Sequence, residues 1–273
     1  MYTIIAATDY SELAENAAEY AAALAKQNKV RLILLNDFTV PITAMNARLP
    51  ASAIQELLDE NEIHLNNRAS SLARKYDIEV LPKATFSFVE DEMKLLIAEH
   101  QADLVVMGMV SKSLEQDLWG NTTTSVIKKL HSPVLAVPAK AKFPGTKKVL
   151  FACDVLNGVS EALLARIKNF ALTADAEVEV LLINETIEEL QRAGADPLAL
   201  DMVTDGLEGI VYYYKHIRSD SIIHSIEKEI KRFHADLLIM VPEKHGFWDS
   251  VIHRSKTRMM ASGLNIPLLS IPV

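Results

Sequence analysis

Met107-Gly108-Met109-Val110-Ser111, followed by Leu118-Trp119-Gly120-Asn121-Thr122-Thr123-Thr124, brackets a polar loop with two glycines and closes it with amide and hydroxyl side chains. Glycine lets a backbone come close to a bound group, because no Cβ stands in the way. Asn121 and three threonines opening a helix offer hydroxyls and main-chain N–H groups at a positive helix end. That is the chemistry of a phosphate cradle. A Ser/Thr helix cap accounts for part of the same pattern. A second chemical position is Thr8-Asp9, where a carboxylate at a strand end can accept hydrogen bonds from a ribose hydroxyl or an adenine amino group. The competing reading is a turn or helix-cap aspartate, and Asp154 recurring at the matching place later in the chain strengthens it.

The elements that must position these residues follow from apolar patterning. Continuous apolar runs predict buried strands over 2–8, 31–36, 78–86, 103–107 and 134–137. Ser11 caps a helix whose first turn carries Glu12 and Glu15. Its face of Ala14, Ala17, Ala18, Ala21, Ala22 and Leu24 is small enough to lie close on a sheet. Further helices are expected over 52–76, with Ile54, Leu57, Leu58, Leu65, Leu72 and Ala73 inward, over 89–100 and over 122–131.

The pattern then restarts. Asp103-Leu104-Val105-Val106-Met107-Gly108 leading to Pro133-Val134-Leu135-Ala136-Val137-Pro138 is echoed by Asp236-Leu237-Leu238-Ile239-Met240-Val241 leading to Pro267-Leu268-Leu269-Ser270-Ile271-Pro272. After a linker over 139–147, strands are expected over 148–153, 177–184 and 209–217, and helices over 160–173 and 221–234, before the two echoed strands. The reading is two domains, 1–140 and 147–273. Each alternates strands with amphipathic helices and so forms a doubly wound parallel α/β sheet. Ligands of such sheets gather at the carboxyl ends of strands, where strand order reverses.

Composition bounds the function. The 273 residues are 49% hydrophobic and 23% charged, in the range of a folded globular chain. No stretch approaches the roughly 20 apolar residues needed to span a bilayer, and the N-terminus lacks a basic leader, so the expectation is a cytoplasmic protein without a membrane partner. A net charge of −8 argues against general nucleic-acid binding. One cysteine, Cys153, excludes an internal disulfide and reads as a core residue. No nucleophile–base or acid–base constellation stands out, so no catalytic residue is expected, and no metal set is evident.

Strand-Thr-Asp, helix, strand, then Gly-x-x-Ser, Gly-Asn-Thr-Thr and Pro-Val-Leu-Ala-Val-Pro, in this order, resemble the universal stress protein (UspA) family. The whole chain resembles a tandem member of it. The resemblance implies Rossmann-like, adenine nucleotide alpha hydrolase-like domains with five parallel strands each. In the ATP-binding branch it implies a nucleotide held by Gly-x-x-Gly, about nine residues, then Gly-Ser/Thr. Carried over, Ala7, Thr8, Asp9 and Asp37 would meet the adenosine; Met107, Gly108 and Ser111 would line the site. Gly120, Asn121, Thr122 and Thr123 would hold the phosphates of ATP or another adenine nucleotide, with Mg as a possible companion. This chain departs from the pattern at Ser111, in a loop one residue short, and at Asn121.

In the second half Pro242 is read in place of Gly108, and His253-Arg254-Ser255 in place of Gly120-Asn121-Thr122. Lys244, His245, His253, Arg254, Lys256 and Arg258 make a basic cluster there, readable as an anion site or as a solvated loop. His245 and His253 have no third metal ligand in sequence. Trp119 and Trp248 are read as loop packing, and Tyr212-Tyr213-Tyr214 as sheet surface. The closing strands are sheet edges, which seek partners. In the resembled family this strand mediates dimerisation, implying an internal pseudo-dimer and room for a homodimer. The expected function is a stress-response module that binds adenine nucleotide in its first half, with slow hydrolysis at most; the alternative is a ligand-free scaffold for unknown protein partners.

Overall fold

A strand that carries apolar side chains on both faces must be covered on both, and that requirement organises the chain. The computed structural model describes residues 3–38, 50–85, 89–109, 121–143, 145–152, 159–183, 205–219, 221–241 and 265–272. Ser111, Trp119, Gly120, Cys153, Asp154, Trp248 and the basic stretch 244–258 lie outside them.

The first half runs β1 (Thr3–Thr8), α1 (Glu12–Asn28), β2 (Arg31–Asp37), α2 (Ala51–Tyr76), β3 (Val80–Thr85), α3 (Val89–His100), β4 (Leu104–Met109), α4 (Asn121–Lys129) and β5 (Val134–Pro138). The second runs β6 (Lys148–Ala152), α5 (Glu161–Ala174), β7 (Glu177–Ile183), β8 (Tyr212–Ile217), α6 (Ile222–Phe233), β9 (Leu237–Met240) and β10 (Leu268–Ser270). Strand order is β3-β2-β1-β4-β5-β10-β9-β6-β7-β8 in one ten-stranded sheet. Among the described residues every pairing is parallel except β5 with β10. That pair is antiparallel, with Leu269 opposite Leu135 and Ser270 opposite Val134. The two echoed strands thus join the halves back to back, and the sheet's outer edges fall to β3 and β8.

Local chemistry sets the element ends. Ser11 is extended and its hydroxyl accepts the Ala14 amide at 3.3 Å, starting α1. Lys29, at φ 54°, closes it in the left-handed region. Ser160 repeats the cap at α5 by accepting the Leu163 amide. The alanine stripe of α1 is buried as its periodicity requires, and with Ile4, Ala6, Leu32 and Leu34 it forms one core layer. Ile5, Ile33, Met93, Val105 and Ile127 belong to the layer on the other face.

Several expected boundaries shift. The strand expected over 209–217 begins at Tyr212, because Gly209 sits at φ +89° in a turn where the Ile210 amide reaches the Leu207 carbonyl. The one expected over 78–86 begins at Val80, after Asp77 caps α2 in the left-handed region. Strand β4 extends past Met107 to include Gly108 and Met109, which pair with Val137 and Pro138. In α2 the buried positions are Asn61, Leu65, Ala69 and Leu72, while Ile54, Leu57, Leu58 and Ala73 are only half-buried. Tyr213 is 47% exposed, but Tyr212 and Tyr214 pack against the core, their rings edge to face with centroids 5.7 Å apart.

Helices α1 and α2 are tied through Glu19. Its carboxylate takes hydrogen bonds from Arg68 at 3.0 Å, Lys75 at 2.6 Å and the Tyr76 hydroxyl at 2.5 Å. Burial pushes Glu19 up, but these three donors outweigh it and hold the carboxyl down at about 2. A carboxyl depressed on folding stabilises above its unfolded pKa and loses that contribution as pH falls toward its folded value. Glu19→Gln is therefore expected to cost on the order of 1–2 kcal/mol at neutral pH. The gap to the parent chain should close between about pH 4.5 and pH 2 in urea unfolding; a constant gap would show that the ionised carboxylate is not what matters.

Candidate functional site

Between β1 and β4 the chain order reverses, and the carboxyl ends of strands at such a point are where ligands of doubly wound sheets gather. The sequence-expected residues sort around it by sheet face. Ala7 and Met107 belong to the core layer of α3 and α4. Thr8 turns to the opposite face: it is buried, and its hydroxyl donates to Glu15 of α1 at 3.0 Å and accepts the Tyr10 amide at 3.0 Å. Asp9 lies beyond the strand, exposed, with Oδ1 accepting the Ser11 amide at 3.0 Å, the turn geometry open to it from sequence.

Gly108 is a residue of β4 and not the start of the loop. A Cβ built there would stand 2.6 Å from Leu13 Cγ and 3.1 Å from the Leu13 carbonyl oxygen. The close approach this glycine permits is thus taken by the first turn of α1. Thr123 brings α4 to the same place, its hydroxyl donating to the Gly108 carbonyl at 3.0 Å. Asn121 begins α4, Thr122 is exposed in its first turn and Thr123 is buried. The structure therefore gathers Thr8, Gly108 and Thr123 with the first turns of α1 and α4. Ser111 and Gly120 fall outside the described residues.

Asp37 is the last residue of β2 and not the first after it. Burial, and then the Glu90 carboxylate, push its carboxyl upward. Glu90 itself is held below the usual carboxylate range, first by the Ser125 hydroxyl at 2.6 Å and also by Lys129 at 3.1 Å. Asp37 accordingly faces α3 and α4, on the far side of the sheet from Thr8. Adenosine groups reaching Asp37 would meet an acidic wall. Phosphates would have to be held at the α4 end.

Sequence reading missed a buried polar network at the ends of β1 and β2. Asn36 donates to the Thr8 carbonyl at 2.8 Å, Asn61 donates to Asn36 at 3.0 Å, and the Tyr10 hydroxyl donates to Asn61 at 3.2 Å. Tyr10 sits at φ 63°, a costly conformation for an aromatic residue, with its ring edge-on to His64 at 4.3 Å. Burial, and then Glu15, push its phenol up to about 12, so it stays a donor at neutral pH. The available signal was Asn36, whose place at the second strand's end Asn184 repeats. Among the described residues no group of histidine, cysteine or acidic side chains could hold a metal ion, and no helix is long and apolar enough to cross a membrane.

A doubly wound parallel sheet whose strand order reverses between β1 and β4 defines a Rossmann-like α/β protein. Residues 1–138 match the model of the universal stress protein family, and the chain belongs to that family. It is 29% identical over 142 residues to universal stress protein MJ0531 of Methanocaldococcus jannaschii, a match spanning 51% of this chain and 83% of that protein. The fold extends over both halves. A universal stress protein from Archaeoglobus fulgidus superimposes with a TM-score of 0.70 at 16% identity, covering 99% of this chain and 98% of the other. A functionally unknown protein of Pseudomonas aeruginosa, PA1789, gives 0.54 at 14% identity over 100% and 92%.

Proposed function

We propose that this chain is a stress-response module of the cytoplasm that holds an adenine nucleotide at the carboxyl ends of β1 and β4 in its first half, with no turnover or only slow hydrolysis. The observation that supports this best is the hydrogen bond from Thr123 to the Gly108 carbonyl, which sets the first turn of α4 at the carboxyl end of β4. A helix N-terminus there offers main-chain donors and the exposed Thr122 hydroxyl to phosphate oxygens. Gly120 and Ser111 complete the loop in sequence, and Asp9 and Asp37 supply acceptors for ribose hydroxyls or the adenine amino group. A magnesium ion accompanying the nucleotide would supply charge neutralisation at the phosphates, which no lysine or arginine of the proposed contact set provides.

Titration of the purified chain with labelled ATP, with and without magnesium, tests this. Gly120→Val and Asp37→Asn are expected to weaken binding about tenfold or more, equivalent to at least ~1.4 kcal/mol each. Absence of saturable binding by the parent chain, or equal binding by both variants, would overturn it. A second reading, a ligand-free scaffold for protein partners, draws on the same residues: the Thr8 and Thr123 hydroxyls and the Asp9 carboxylate are already engaged within the chain. Nucleotide retained at one per chain through purification counts against that reading.

A further inference from the structure

Pairing β5 with β10 sets α1 and α5 on the same face of the continuous sheet, and a cavity of about 480 Å³ lies between them. Its floor is built on the junction itself: Leu135 of β5 and Leu269 of β10 are register partners, and both line it. Phe143 from the linker and Phe170 from α5 are half-buried and form aromatic walls. This space lies toward the amino end of β4, where Asp103 and Leu104 line it, so it is separate from the nucleotide site proposed at the strand's other end.

The rim is polar and carries positive charge. Arg166 of α5 and His131 ahead of β5 both line the cavity, and both are exposed. Neither side chain makes a hydrogen bond or ion pair among the described residues. The one acid on the rim, Asp103, already accepts the Thr3 amide at 3.4 Å. A guanidinium with no partner among the described residues, in a chain of net charge −8, lines an apolar, aromatic-walled hollow. An arginine in that position suits a carboxylate, which it can bind through two parallel N–H donors.

We infer that the cavity between the two halves is a second binding site, which takes an amphipathic monocarboxylate: an aliphatic or aromatic body over Leu135 and Leu269, and the carboxylate at Arg166. Its volume falls among those of pockets that enclose small organic ligands, roughly 300–1,000 Å³. Because both halves contribute walls, occupancy would favour the paired arrangement of β5 and β10 by mass action.

The test is calorimetric titration of the full chain with decanoate and with decan-1-ol, which share a body and differ in the charged head. The parent chain should bind one decanoate. Arg166→Leu should weaken decanoate about tenfold or more while leaving decan-1-ol unchanged, the loss of a charge-assisted hydrogen bond. Asn169→Trp, at an exposed position of α5 that lines the cavity, should fill it and remove binding of both ligands without moving the unfolding midpoint. ATP titration of the same variants should be unaffected, so failure here and failure of the nucleotide reading are separable. No saturable decanoate binding by the parent chain, full binding by Asn169→Trp, or equal weakening of both ligands by Arg166→Leu would each overturn the inference.

Discussion

Gly108→Val should cost on the order of 3 kcal/mol of folding stability, and Leu13→Ala in the same chain should return most of it. A Cβ at Gly108 meets not only the Leu13 side chain but its carbonyl oxygen and carbon, at 3.1 and 3.2 Å, so the first turn of α1 must itself move. The second half carries a different pair at the corresponding sequence positions. Aligning the two Ser caps sets Ala162 opposite Leu13, and aligning Met107 with Met240 sets Val241, not Pro242, opposite Gly108. The first half has leucine on the helix and glycine on the strand; the second has an exposed Ala162 on the helix and Val241 one residue past β9. The double variant rebuilds the second half's pair in the first. Urea unfolding of the parent, both single variants and the double gives the coupling energy. Additive costs would show that the two residues do not share this space.

That correspondence also explains what the sequence could and could not reveal about the site. Glycine after an apolar run reads equally well as room for a ligand or as room for a helix, and only the position of Leu13 separates the two. The alanine stripe of α1, by contrast, had one physical solution, and for the echoed closing strands the family resemblance implied a partner in the other half. A helix of small residues must lie close on a sheet, and two proline-flanked edge strands must be covered. The stripe's burial follows from the first need, and the β5–β10 pairing is the internal pseudo-dimer that the resemblance implied. Asn61 was invisible for the opposite reason: a polar residue one position in an apolar helical stripe is ordinarily read as solvent-facing. Here it is buried because Asn36 and Tyr10, distant in sequence, satisfy its amide.

Glu179 makes the same point in a strand and carries the second large effect. Alternation of Glu177, Val178, Glu179 and Val180 suggests one wet face, yet both faces of this sheet are covered and Glu179 is 3% exposed. It lies beneath α6, where Glu229 is also buried and Arg232 donates to both carboxylates. Burial, and then the neighbouring Glu229, push Glu179 up to about 7. A carboxyl raised on folding binds its proton more tightly in the native chain, so stability falls as pH rises from its unfolded pKa to its folded one. Between about pH 4.5 and pH 7 the parent chain should lose on the order of 3 kcal/mol through this group. Glu179→Gln cannot ionise and should remove that slope. Its stability relative to the parent should rise steadily over the interval and level off above it, whatever fixed cost the altered contact with Arg232 adds. Urea unfolding of both chains at half-unit pH steps measures the difference directly. Parallel profiles would mean that Arg232 compensates both carboxylates and that no proton is held in the pair.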